Sequence, residues 1–163
     1  MPYAAIDTYF AGERQLGLLL VPVGLLVIAA AFFAWRGQPG PFGVGLAIPL
    51  ALLGLLGAGV GGGLALKTPG QVNTLKAALE EKPAEALAAE RDRMAKVNAN
   101  WIRLKLVWTA FALIGLGLIL LGRKEWMPGV GVGLLIFAAT LMATDVTAER
   151  RALVYTAALD AAP

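Results

Sequence analysis

The sequence predicts an all-α integral membrane protein whose four transmembrane helices form two hairpins, joined by a charged helical segment. Three observations carry that prediction. Four long stretches hold no charged residue: 15–35, 37–66, 106–122 and 126–144. A hydrocarbon core about 30 Å thick needs roughly 20 helical residues to cross it, so each stretch is a candidate span. Second, the 163-residue chain is 58% hydrophobic and only 15% charged, too few charges to cover a soluble domain of that size. Third, the cations are unevenly placed. Arg14, the eight Lys and Arg residues from Lys67 to Lys105, and Arg150 and Arg151 flank one end of the spans, whereas the two short loops hold only Arg36, Arg123 and Lys124. The positive-inside rule then puts both termini and the central segment in the cytoplasm.

Along the chain this gives five segments. Residues 1–14 form an interfacial N-terminal segment, because Tyr3, Ile6 and Phe10 share one helical face ahead of Glu13 and Arg14. Residues 15–66 are the first transmembrane hairpin. The first span is longer than a signal-peptide core and its Trp35-Arg36 exit does not resemble a cleavage site, so it is retained. Residues 67–105 form the cytoplasmic segment. Thr68 followed by Pro69 reads as a helix N-cap with proline at the first helical position. Lys82 and Pro83 break that helix and start a second, in which Leu87, Met94 and Trp101 mark an apolar stripe running into span three. Residues 106–147 are the second hairpin, and 148–163 continue as a cytoplasmic C-terminal helix. Trp35 and Trp126 fall at the outer boundary, Trp101 and Trp108 near the inner one, as an aromatic belt requires.

The two hairpins look like parallel repeats. Residues 43–51 read GVGLAIPLA and 131–139 read GVGLLIFAA, each opening the second helix of its hairpin. Repeats of this sense are related by an axis along the membrane normal. Small residues recur at packing intervals in span two (Gly54, Gly57, Gly61, Ala65) and at the start of span four (Gly129, Gly133). In lipid such residues let backbones approach closely, either inside one bundle or between copies. Pro22 and Pro49 stand mid-span in the first hairpin. They are candidate hinges, each removing a backbone donor, although proline is also simply commoner in membrane helices.

The chemistry is bounded mainly by what is missing. There is no cysteine and no histidine, which removes thiolate nucleophiles, the commonest metal and haem ligands and the commonest general base. No Walker loop, GxSxG or HExxH motif occurs. The sequence therefore points away from an enzyme and calls for no cofactor and no metal. Nucleic acid is an unsuitable partner, since Glu80, Glu81, Glu85, Glu90 and Asp92 nearly cancel the basic residues of the central segment. Ionisable groups at membrane depth are functional suspects by default. Asp145 is the acid that lies within the apolar reach of a span, with Glu149 one turn further on. One reading groups Asp145 and Glu149 with Glu13 and Arg14 as a polar site at the inner boundary. The other makes Asp145 a polar helix end, paired with Arg14 or Arg103.

The stretches FGVGLAIPLALLG at 42–54, KTPGQV at 67–72, ERDRMAKV at 90–97 and AERRALVY at 148–155 resemble a group of small bacterial four-span membrane proteins with no assigned activity. The resemblance implies a bacterial inner membrane and four spans, and no mechanism. Three functional readings follow from the residues. The first is an accessory subunit or scaffold that contacts another membrane protein, or further copies of itself, through the cytoplasmic helices 69–105, with Leu87, Met94 and Trp101 as candidate contact residues. The second is a small transporter or pore with its inner mouth near Asp145 and Glu13. The third is an immunity or phage-defence membrane component. Membrane lipid is a partner in all three.

Overall fold

A computed structural model describes residues 3–38 and 40–162. Met1, Pro2, Pro39 and Pro163, which belong to the expected terminal segments and to the first outer turn, lie outside the described residues. The described chain is four long helices: α1 (Tyr3–Gly37), α2 (Pro41–Glu81), α3 (Pro83–Leu121) and α4 (Trp126–Asp160). All four are long and apolar enough to cross a membrane, as a multi-pass membrane protein requires. At 35 to 41 residues each, they are also far longer than one crossing needs. Each therefore extends past the bilayer at the end carrying the termini and Lys82, here called the charged end. The opposite, loop end holds the two short connections.

The expected boundary at Thr68 does not interrupt α2. The residues ahead of Thr68 are already helical, so its hydroxyl donates back to the Leu64 carbonyl instead of capping a new helix. The break falls at Lys82, in an extended conformation (φ −140°, ψ 72°) between Glu81 and Pro83. There the Lys82 N–H closes α2 on the Ala78 carbonyl, the Lys82 carbonyl accepts from Ala86 N–H, and Pro83 opens α3.

Close approach of backbones sets the helix pairing. A Cβ on Gly24 would lie 2.6 Å from the Gly54 carbonyl oxygen, and one on Gly17 would lie 2.6 Å from that of Gly61, so α1 and α2 touch along two turns. In the second hairpin a Cβ on Gly115 would come within 2.8 Å of the Gly131 carbonyl oxygen. The hairpins are joined to each other at the loop end, where α2 and α4 run parallel. A side chain on Gly45 would run into the Trp126 carbonyl, and one on Gly129 into the Phe42 carbonyl. Pro49 packs its ring directly on Gly133.

These contacts exchange when the two halves are exchanged, which defines an approximate two-fold axis along the helices. Under it Gly45 corresponds to Gly129, Pro49 to Gly133, Leu53 to Phe137 and Thr68 to Ala152, all 84 positions apart and all buried. Gly37 and Leu121, which end α1 and α3, are separated by the same 84 positions. The nine-residue sequence match, 43–51 against 131–139, is thus one helical turn out of register with the structural repeat. A glycine-lined crossing places similar residues on successive turns, so composition alone aligns the wrong turn.

Beyond the membrane-spanning lengths the four helices close into a bundle at the charged end. Its core is Ile6, Tyr9 and Phe10 from α1, Leu79 from α2, Leu87 and Met94 from α3, and Ala152, Tyr155 and Leu159 from α4. This corrects two expectations. Residues 3–14 are the first turns of α1, with the Ile6–Phe10 face covered by protein. Leu87 and Met94 are not an open partner surface, because they lie in a core shared with residues of α1, α2 and α4, and Met94 is fully buried. Trp101 packs against the same core and donates its indole N–H to Asn98 Oδ1 at 3.2 Å.

Truncating a side chain buried this deeply leaves a cavity that helices can only partly close. Met94→Ala should lower bundle stability by about 2–5 kcal/mol. Leu66→Ala, at a position 83% exposed to the surroundings, should change it by less than about 0.5 kcal/mol. Thermal unfolding of the two purified variants, followed by helix content, checks the contrast.

Candidate functional site

The four residues expected to form one polar site do not come together. Glu13 is paired with Arg151, 3.0 Å away on α4. Glu149 is paired with Lys105 of α3 at 2.6 Å. Asp145 accepts a hydrogen bond from the Trp108 indole Nε1 at 2.6 Å and forms no ion pair among the described residues, with Arg14 and Arg103 or with any other cation. Arg14 is exposed. Of the two candidate hinges, Pro22 is exposed and Pro49 is buried in the α2–α4 crossing; neither interrupts its helix.

Asp145 instead lines a cavity of about 240 Å³ between the two hairpins. The cavity lies on the approximate two-fold axis, since its lining comes in equivalent pairs: Leu20 with Leu104, Gly24 with Trp108, and Val60 with Thr144, each 84 positions apart. The glycine crossing of α2 and α4 lies beyond it toward the loop end. Apart from the two leucines, these equivalent positions carry unlike chemistry. Leu20, Val23, Val27, Leu56 and Val60 make the α1–α2 wall wholly apolar, whereas Trp108, Thr140, Thr144 and Asp145 line the α3–α4 wall. The reason is local packing. Gly24 lets α1 press on the α2 backbone, but its counterpart Trp108 needs room, and the indole fills the gap against Phe111 and Phe137 with centroids 5.9 and 6.0 Å away. Its N–H then reaches Asp145. Trp108 is therefore part-buried, with its ring against Phe111 and Phe137 and its N–H on Asp145.

A second axial cavity, about 260 Å³, lies nearer the charged end and is polar, with Glu13, Thr68, Gln71, Arg93 and Trp101 in its wall. Two side grooves are also related by the axis. The α1–α4 groove is lined by Tyr9 and Tyr155, whose rings stack at 4.4 Å, and the α2–α3 groove by their counterparts Arg93 and Gln71.

Sequence reasoning missed one buried network. Glu90, counted above only as a charge that offsets basic neighbours, is 6% exposed within the bundle. It accepts from the Tyr155 hydroxyl at 2.8 Å and from Arg93 at 2.7 and 2.6 Å. The Arg93 guanidinium stands 5.7 Å over the Phe10 ring. The signal was present: Glu90 falls on the same helical face as Leu87 and Met94, where a charge needs internal partners. Burial, reinforced by the Glu90 charge, pushes the Tyr155 hydroxyl well above its ordinary range, and burial with the Glu13 charge raises Tyr9. The Glu90 hydrogen bond holds Arg93 charged.

Comparison with protein-family models, with curated proteins and with solved structures finds no match to this chain. The among-described residues also contain no cluster of three or more metal-ligating side chains.

Because the raised tyrosines hold their protons in the folded state, the unfolded chain loses them first, near the ordinary value of 10.0. Their contribution to stability is complete below about pH 10 and declines as pH rises further. Tyrosinate absorbance should show a phase above pH 10 that belongs to Tyr9 and Tyr155. In Tyr155→Phe that phase should shrink, and a phase left at full amplitude would contradict the assignment.

Proposed function

We propose that this is a non-enzymatic protein of a bacterial cytoplasmic membrane, with both termini inside, that acts as a small transporter. Its substrate would occupy the axial cavity between the two hairpins. The observation that carries the reading is the position of that cavity, on the axis relating two parallel repeats. Repeat interfaces at membrane depth are where secondary transporters place their substrate sites. The α2–α4 crossing would be the outer gate, because backbones in contact there leave no passage. The polar second cavity, with Glu13 in its wall, would be the inner approach.

The subunit or scaffold reading, through helices 69–105, is the second choice, because two residues of its expected surface, Leu87 and Met94, lie in the bundle core. Membrane lipid remains a partner of the many large apolar side chains that face outward, among them Leu26, Phe33 and Leu120.

Absence of native cysteine makes a direct test simple. Single cysteines at Val60 and Thr144 should react with a membrane-impermeant maleimide added on the cytoplasmic side. They should also react, more slowly, with reagent added outside. Access from the cytoplasmic side alone would refute transport and leave a one-sided binding site.

A further inference from the structure

The axial cavity carries an unbalanced charge. Seven carboxylates of the described chain have a cation within ion-pair distance: Asp7, Glu13, Glu85, Glu90, Asp92, Glu149 and Asp160. Of the other four, Glu80, Glu81 and Glu125 are exposed near helix ends, where water solvates them. Asp145 alone is half-buried without a cation. Its one hydrogen-bond partner among the described residues is the neutral Trp108 indole, and the facing wall of the cavity is hydrocarbon. A half-buried carboxylate with no cation beside it and hydrocarbon opposite favours a positive group entering the cavity.

Shape narrows the class further. From Leu53 to the α2 position equivalent to Asp145 is about two turns of helix, roughly 12 Å along the axis. The carboxylate lies at the charged-end limit of that length, and the remainder is mainly apolar, with the hydroxyls of Thr140 and Thr144 on the α4 side. An apolar cavity of about 150 Å³ accepts a benzene ring. The 240 Å³ here leaves room for a ring or branched chain with a short arm. Such a molecule would put its charged end beside Asp145 and its body toward Leu53.

We infer that the cavity binds a lipophilic monocation: an apolar body bearing one protonated amine or quaternary ammonium group, paired with Asp145. This rests on the transporter reading for the location of the site, and adds the chemical class of its occupant. Trp108 is a positioning residue that fixes one carboxylate oxygen and leaves the other for the ligand.

The test is binding to the full chain in lipid nanodiscs, with three probes of one shape. 4-Phenylbutylamine is cationic at neutral pH, 4-phenylbutanol is uncharged and 4-phenylbutyrate is anionic. The amine should bind saturably, at least tenfold more tightly than the alcohol, and the carboxylate should not bind. Asp145→Asn should bring the amine down to the affinity of the alcohol, while Asp145→Glu keeps the preference. Leu56→Trp, which fills the cavity from its apolar wall and leaves Asp145 in place, should abolish both. Equal binding of amine and alcohol, unchanged in Asp145→Asn, would overturn the cationic class and leave the cavity reading standing. Binding that survives Leu56→Trp, or no saturable binding of any probe, would overturn both.

Discussion

The structure depends on one contact, the backbone-to-backbone crossing of α2 and α4 at the loop end. Gly45 and Gly129 each face a carbonyl of the opposite helix so closely that no side chain fits. In lipid there is no hydrophobic effect to join two hairpins, so their association needs dense packing, which close backbone approach provides. Because the contact is reciprocal, it places the two hairpins about a common axis. Everything along that axis follows from it, including the space left between α1–α2 and α3–α4 once the crossing helices diverge.

The charged end closes the same axis by different means. There water is available as the alternative environment, and the bundle is held by an ordinary apolar core around Met94, Tyr155 and Ile6. Into that core the second half inserts charge where the first half has none. Glu90 stands at the position equivalent to Ile6, and Arg93 at that of Tyr9, each 84 positions on. Breaking a buried, fully bonded group of this kind is costlier than never having it, typically by several kcal/mol. The bundle is thus the asymmetric clamp, and the membrane-embedded crossing the symmetric one. The axial cavity lies between the two.

Much of the fold was legible in the sequence for a simple reason: membrane spans are set by length and charge, both of which can be counted. The break at Lys82 was legible too, as was the shared face of Tyr3, Ile6 and Phe10, although the sequence assigns that face to the headgroups and not to the bundle core. Which surface covers a stripe was not. Leu87 and Met94 needed a cover, and periodicity cannot say whether it is a partner or the chain's own termini. The polar site was misread for a related reason. Glu13, Asp145 and Glu149 lie at similar depth, but depth does not fix azimuth, and each turned toward a different neighbour. Trp108 shows the limit most clearly. Its depth suits a headgroup belt, yet its direction depends on the α3–α4 spacing, which Gly115 and Gly131 set from two turns away.

The central claim is that α2 and α4 of one chain cross at the loop end about the axis relating Gly45 to Gly129. It is tested most directly by a Leu46→Cys, Val130→Cys pair, oxidised mildly in native membranes. These residues adjoin the crossing, as a Cβ on Gly129 would touch the Leu46 backbone and one on Gly45 that of Val130. A rapid disulfide within single chains, with no dimer on a non-reducing gel, is the predicted result. Failure to form it, or a disulfide only between chains, would contradict the arrangement of the hairpins and with it the cavity they enclose.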